Sequence, residues 1–325
     1  MKTAFYAAAH FAVDCCCALF LFRFLLYSSD WAFALLLYNF CAFALQMPFG
    51  ILADCCNRNG LFAAGGMLLS ACAFLFAAIP LWGAVCAGCA NALFHIGGGL
   101  EILNQSEKKA AALGVFVAPG AGGLLLGTLL GKSSFPILPV PLILCAAGTV
   151  LALLAGRPSA NAAFTLPRFR PAILPLFLVV VLRSYLGFCM QFRWNTSLWT
   201  SLAAAAALIL GKMAGGFLLD RYGFFKTAGF SLLLAAAFLL APNYMVFGLA
   251  GVFFFQMTMP VTLWAAAALF PGAKGFVFGL LTFALFIGFL PALLGAPLPG
   301  GGLFYSGGAL VSLLLLYLAG RRMPL

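Results

Sequence analysis

Apolar residues run along this chain in long unbroken blocks, and short polar turns separate one block from the next. Within the blocks there is no strict alternation of polar and apolar positions, so they read as helices and not as strands. A hydrocarbon core about 30 Å thick asks for about 20 apolar residues per spanning helix, and lipid forces each backbone to close its own hydrogen bonds. The blocks predict twelve spans, at roughly 4–26, 31–53, 60–80, 82–103, 110–131, 137–156, 171–191, 197–219, 227–241, 243–265, 274–291 and 301–319. Six lie before the segment R-P-S-A-N-A-A-F-T-L-P-R-F-R at Arg157–Arg170 and six after it. The expectation is an all-α polytopic membrane protein: an N-terminal six-helix bundle over 1–156, a cytoplasmic linker over 157–170 and a C-terminal bundle over 171–325.

Two polar turns are copies of each other. Q-M-P-F-G-I-L-A-D-C-C-N-R-N-G begins at Gln46 and K-M-A-G-G-F-L-L-D-R-Y-G-F-F-K at Lys212, 166 residues later, so that Met47/Met213, Gly50/Gly216, Leu52/Leu218 and Asp54/Asp220 coincide. That offset is close to half of the 325 residues, which makes the chain a duplication. In each copy a glycine lets two helices approach, and four residues later a carboxylate stands at a helix end, where the N-terminus of another helix stabilises it. Asn57 replaces the glycine found at Gly223; asparagine tolerates left-handed backbone, so the turn is expected to survive.

Composition agrees with the pattern. The chain is 65% hydrophobic and 7% charged, against roughly 25% charged residues in soluble domains. The net charge of +11 is a topology signal. With a cytoplasmic N-terminus, inner segments hold Lys2, Arg58, Lys108, Lys109, Arg157, Arg168, Arg170, Arg221, Lys226, Lys274, Arg321 and Arg322, and outer ones only Arg23, Lys132 and Arg193. Arg183 and Lys212 fall inside spans. This bias obeys the positive-inside rule with both termini cytoplasmic, and nucleic-acid binding is not needed to explain it. The 11 cysteines sit mostly in apolar runs and read as small packing residues; Cys86-Ala-Gly-Cys89 has a redox or zinc spacing but no second pair. Asp14 interrupts the first apolar run and no small-residue cleavage site follows, so that run reads as a span and not as a signal peptide.

Gly50-x-x-x-Asp54 and Gly216-x-x-x-Asp220-Arg221-x-Gly223 resemble the loop signature of the major facilitator superfamily, which lies between the second and third and the eighth and ninth helices. Both copies fall there in the span count. In the fifth span, Gly114, Ala118, Pro119, Gly122 and Gly123 resemble the antiporter motif G-x-x-x-G-P-x-x-G-G, with Ala118 in place of one glycine. A helix face without side chains packs closely on a neighbour, and Pro119 bends it. Phe94-His95 is similar to a dipeptide in the fourth helix of the fosmidomycin-resistance branch. The resemblance implies two six-helix bundles rocking about a midplane cavity lined by the first, fourth, seventh and tenth helices. It also implies that Asp54 and Asp220 belong to a gate, with Arg58, Arg221 and Glu101 beside them; the expected partners of Glu101 are Arg58 and Lys108.

Ionisable groups at membrane depth cost roughly 2.5–3.5 kcal/mol each on insertion scales, so they need a partner or a task. Asp14 and His10 share one face of the first span, and His95 and Asn91 one face of the fourth. Arg183 is central in the seventh span, and Gln256, Thr258 and Thr262 decorate the tenth. Asp14, His10 and His95 are the expected proton-coupling set, because desolvation favours the neutral carboxyl and imidazole titrates near neutrality. Asn91, Arg183, Gln256, Thr258 and Thr262 are the expected cavity residues, with Arg183 suited to an anionic group or to competing with a proton for Asp14. Lys212 either snorkels to the inner surface or pairs with an acid at the inner gate.

The resulting expectation is a plasma-membrane secondary transporter of bacterial type, monomeric and without a cofactor, which exports a small amphipathic or aromatic-bearing compound against protons. Uptake of a small organic anion or nutrient centred on Arg183 is the first alternative. A membrane enzyme or lipid scramblase using His95 and Glu101 is the second; against it, no nucleophile–base pair or metal-ligand cluster is visible at chemical spacing, and the halves repeat.

Overall fold

Three spans of this protein break beside a proline, whereas Pro291 lies inside an unbroken helix. A computed structural model describes residues 2–106, 109–154 and 162–323. Its helices are α1 (Lys2–Arg23), α2 (Trp31–Asn39), α3 (Gln46–Cys56), α4 (Asn59–Cys72), α5 (Pro80–Gln105), α6 (Ala111–Val117), α7 (Gly120–Lys132), α8 (Pro139–Leu154), α9 (Ile173–Cys189), α10 (Leu198–Tyr222), α11 (Phe224–Leu239), α12 (Met245–Gln256), α13 (Thr258–Leu269), α14 (Lys274–Leu293) and α15 (Gly302–Gly320). Joined across short breaks, they give, among the described residues, nine helices long and apolar enough to cross a membrane and three shorter apolar ones, at Pro139–Ala152, Ile173–Cys189 and Phe224–Leu239. The twelve predicted spans are therefore present, with ends shifted by a few residues.

Three predicted spans are not continuous. Between α2 and α3 the turn widens over Phe40–Ala44, where Leu45 N–H reaches Phe40 O at 3.3 Å. Pro48 follows, and its ring would clash with the carbonyl of Ala44 in a regular helix. Pro119 separates α6 from α7, and Met257 separates α12 from α13 three residues before Pro260.

The described residues cluster into two units. One comprises Met1–Glu107, Pro119–Pro167 and Phe270–Phe283; the other comprises Lys108–Ala118, Arg168–Leu269 and Ala284–Leu325. In the first unit, glycines set the packing. A Cβ on Gly123 would strike Phe11 O and one on Gly127 would strike Cys15 O, so the bare face of α7 lies directly on the backbone of α1. On the other side α4 meets α5 in the same way: a Cβ on Gly66 would come within 2.6 Å of Ala90 O, and one on Gly97 within 2.5 Å of Asn59 O. α1 packs on α7 through Gly123 and Gly127 and also on α5. Arg23 donates to Phe135 O at 2.9 Å, and Lys132 lies over the Phe22 ring at 5.0 Å, closing one end of this unit.

Of the linker, residues 157–161, with Arg157, lie outside the described residues, as does Lys108. The remainder of the linker, 162–170, is non-helical, and Thr165 N–H donates to Gly272 O at 3.1 Å. All eleven cysteines are free thiols; Cys15, Cys16, Cys17, Cys41 and Cys189 are buried, whereas Cys55, Cys56 and Cys72 are exposed.

Asn57 closes α3 with φ 54° and ψ 40°, the one non-glycine residue at positive φ among the described residues, and its repeat partner Gly223 closes α10 with φ 79°. The asparagine thus does the work of the glycine, as its tolerance of left-handed backbone implies. Asn57→Val should lower the melting temperature of the purified protein by the equivalent of about 1–2 kcal/mol, the cost of left-handed backbone for an ordinary residue, while Asn57→Gly leaves it unchanged.

Candidate functional site

The close approach of α1, α5 and α7 assembles four polar side chains inside the first unit. His10 and Asp14 come from α1, one turn apart, with His10 Nε2 at 3.2 Å from Asp14 Oδ2. Asn91 and His95 come from α5, also one turn apart. Asn91 Nδ2 donates to Asp14 Oδ1 at 3.1 Å, and His95 Nε2 lies 3.7 Å from the same oxygen. The two imidazoles meet edge to face, with Nε2 2.9 Å from Nε2. His10 is only 4% exposed, and Phe94, fully buried, packs against both rings.

His95 Nδ1 lies 2.8 Å from Asn91 O. A carbonyl only accepts, so Nδ1 carries the proton and Nε2 presents its lone pair to His10. Two N–H groups cannot point at each other across 2.9 Å. The pair therefore holds one proton between its Nε2 atoms, with the Asp14 carboxylate beside it. Gly120, the first residue of α7, makes room: a Cβ there would fall 2.5 Å from Asp14 Oδ2 and 2.6 Å from His10 Nε2. Sequence reasoning finds His10, Asp14, Asn91 and His95 but misses Gly120, which sits at an unspecified position of the antiporter-type motif. It also finds no metal-ligand cluster, because His95 lies 85 positions from His10 and only the packing of α5 on α1 joins them.

The other expected cavity residues lie in the second unit. Arg183, on α9, is 8% exposed and donates to Thr262 Oγ1 on α13 at 3.1 Å. Thr258 turns its hydroxyl to Phe255 O at 2.8 Å within its own helix turn, and Gln256 ends α12 half-buried, its Cβ beside Gly211.

The duplicated turns latch helix ends as the local physics predicts. Asp54 Oδ1 accepts from Gly275 N–H and Oδ2 from Phe276 N–H, both at 2.9 Å, at the start of α14. A Cβ on Gly50 would strike the backbone of Gly275, so the two helices cross at these glycines. In the second copy, Asp220 Oδ1 accepts from Ala110 N–H at 2.6 Å and Oδ2 from Ala111 N–H at 3.0 Å, at the start of α6. A Cβ on Gly216 would lie 2.6 Å from Ala110 O, and one on Gly114 2.8 Å from Lys212 O. Both latches set a carboxylate against the unpaired N–H groups that open a helix. They differ in exposure: Asp54 is buried and Asp220 is exposed.

Around the latches, Arg58 is the exposed N-cap of α4 and Arg221 stacks on Tyr222 at 5.3 Å. Lys274 donates to Asn104 Oδ1 at 2.8 Å. Glu101 accepts from Gln105 at 2.6 Å and lies 3.8 Å from Lys2; of its expected partners, Lys108 is outside the described residues. Lys212 directs its ammonium to Val117 O, 3.4 Å away, at the C-terminal end of α6. The antiporter-type motif thus divides at Pro119. Gly114 packs on α10, whereas Gly123 packs on α1; Ala118 is fully buried and Gly122 half-buried.

No protein-family model and no curated protein matches the sequence. The fold does match solved structures over nearly the whole chain. One is the E. coli fucose:proton symporter FucP, at 14% identity and a TM-score of 0.64, covering 98% of either chain. Another is the human organic anion transporter MFSD10 (TETRAN), at 16% identity and 0.66, covering 96% of this chain and 99% of that one. A third is a bacterial homologue of the iron transporter ferroportin, in an outward-facing state with soaked iron, at 15% identity and 0.64, covering 98% of either chain. The chain has the fold of the major facilitator superfamily, a multi-pass membrane fold.

Proposed function

We propose that this chain is a secondary transporter of the major facilitator type that works by alternating access and couples to protons at His10, Asp14 and His95. The observation that carries this reading is the part-buried cluster itself: a carboxylate and two imidazoles within hydrogen-bonding reach, set in a fold that solved structures including a proton symporter share. A second proton loaded onto the lone pair of His95 Nε2 sets two N–H groups against each other across the 2.9 Å contact, which must then part, while the Asp14 carboxylate balances the added charge. Loading or releasing one proton therefore repacks the contact between α1 and α5. Two six-helix halves, 1–156 and 171–325, alternate between access states with both termini in the cytoplasm, and the turns at Asp54 and Asp220 latch one of those states.

Export of a small amphipathic compound is the direction we propose. The glycine face of α7 on α1, with the break at Pro119, supports it, because it combines a leak-tight seal with a hinge. Uptake of a small organic anion is a second reading, favoured by one observation: among the described residues, the five donors of the buried Arg183 guanidinium meet one side-chain acceptor, Thr262. The experiment is a growth screen of expressing cells against a panel of toxic compounds at two external pH values, followed by transport in proteoliposomes. Export predicts resistance that rises with external acidity and less compound retained in cells. Accumulation of anions, lost in Arg183→Gln, replaces export by uptake; no transport of any compound under a pH gradient removes proton coupling.

A further inference from the structure

We infer that His10, Asp14 and His95 form a binding site for a divalent first-row transition-metal ion such as Zn²⁺ or Co²⁺, with Asn91 and Gly120 as its supporting residues. This goes beyond the transport reading and does not depend on it.

The ligand atoms have the spacing that one ion requires. Two atoms each about 2.0–2.1 Å from a metal stand about 2.9 Å apart at a right angle and about 3.4 Å apart at a tetrahedral one. Here the separations are 2.9 Å between the two Nε2 atoms, 3.2 Å from His10 Nε2 to Asp14 Oδ2 and 3.7 Å from His95 Nε2 to Asp14 Oδ1. The two carboxylate distances are to different oxygens, and one ligand atom from each residue lies within 4.8 Å of the others, a separation that an ion closes with a small side-chain shift.

The protonation pattern is also the one a ligand needs. A metal-bound histidine usually donates its other ring N–H to a carbonyl or carboxylate, which fixes the tautomer and the ring plane. His95 does this through Nδ1 to Asn91 O at 2.8 Å, leaving Nε2 as a lone pair aimed at the cluster. The same residue, Asn91, holds the Asp14 carboxylate through its side-chain amide at 3.1 Å. His10 presents a second lone pair in its Nδ1–H tautomer, with its Nε2 proton lost to water and one taken up at Nδ1, so that the ring stays neutral. A cation entering the cluster then takes the place of that proton and meets two neutral imidazoles and one carboxylate.

Chemistry selects the ion. Gly120 lets α7 approach the ligand atoms closely: a Cβ there would meet Asp14 Oδ2 at 2.5 Å and His10 Nε2 at 2.6 Å. Imidazole with one carboxylate suits borderline ions such as Zn²⁺, Co²⁺ and Fe²⁺, whereas Mg²⁺ asks for oxygen ligands and keeps its water. Three protein ligands leave at least one position for water, as in open zinc sites.

The test uses full-length protein in nanodiscs, stripped with a chelator and titrated with Co²⁺ at neutral pH. We expect one Co²⁺ per chain, a visible d–d band with the intensity of a four- or five-coordinate site, displacement by Zn²⁺ and none by Mg²⁺. His95→Gln and Asp14→Asn should each lose the band. Asn91→Ala, which keeps all three ligands, should weaken binding about 10–100-fold, the usual effect of removing a residue that orients a ligand. Gly120→Ala should weaken it by blocking the site. Thermal melting of each variant separates lost binding from lost fold. Absence of Co²⁺ uptake by the wild type, or an unchanged band in the His10→Gln/His95→Gln double variant, overturns the site and assigns any bound metal to the cysteines. Metal binding without pH-driven transport overturns the coupling reading alone, and transport without metal binding overturns this inference alone.

Discussion

Asp14→Asn should abolish transport driven by a pH gradient while leaving substrate exchange at equal pH in place. The amide has the size and the acceptor of the carboxylate, so the 3.1 Å bond from Asn91 Nδ2 can persist, but no proton can be loaded or released. A group that transfers a proton is worth about 10²–10⁴ in rate where it acts, so gradient-driven flux in proteoliposomes should fall at least a hundredfold. His95→Gln should cost less, because His10 and Asp14 remain in contact at 3.2 Å. The measurement compares accumulation under an imposed gradient with counterflow at equal pH on both sides. If Asp14→Asn retains gradient-driven accumulation, protons are not coupled at this cluster, and the proposed mechanism fails with it.

Much of this architecture is legible in the residues. Apolar blocks long enough to span a bilayer mark the helices, because lipid leaves the backbone no other way to satisfy itself. The glycines at Gly123 and Gly127 announce a face that must meet another backbone; that this backbone is α1 could not be read, since small residues specify closeness and not a partner. Asp54 and Asp220 were legible as helix-end carboxylates through their repetition, although the helices they hold, α14 and α6, lie far along the chain from them. The breaks at Phe40–Ala44 and Met257 were not read, although Pro48 and Pro260 stand beside them. A proline inside an apolar span signals a distortion, but where the distortion falls depends on which neighbour supplies the freed hydrogen bonds. The polar cluster was half visible. Spacing of four pairs His10 with Asp14 and Asn91 with His95 on their own helices, whereas contact between the pairs is a property of tertiary packing.

The duplicated latches should fail unequally. Asp54 and Asp220 each accept two backbone N–H bonds at the start of a helix, so by sequence they are equivalent. Their surroundings are not. Asp54 is 8% exposed, held where Gly50 and Gly275 bring two backbones into contact, and water does not replace its oxygens. Removing a buried acceptor leaves Gly275 and Phe276 N–H groups unsatisfied, at about 1–3 kcal/mol each. Asp220 is exposed, so water takes over the N–H groups of Ala110 and Ala111 at little cost. Asp54→Ala should therefore lower transport more than tenfold, since about 1.4 kcal/mol corresponds to each factor of ten, and should lower the melting temperature as well. Asp54→Asn, which keeps one acceptor oxygen, should fall between Asp54→Ala and wild type. Asp220→Ala should change both by a few-fold or less. Transport assays and melting curves on the three variants decide the matter: equal losses at the two positions would mean that burial does not set the strength of the latch, and that the carboxylates act through a contact common to both copies.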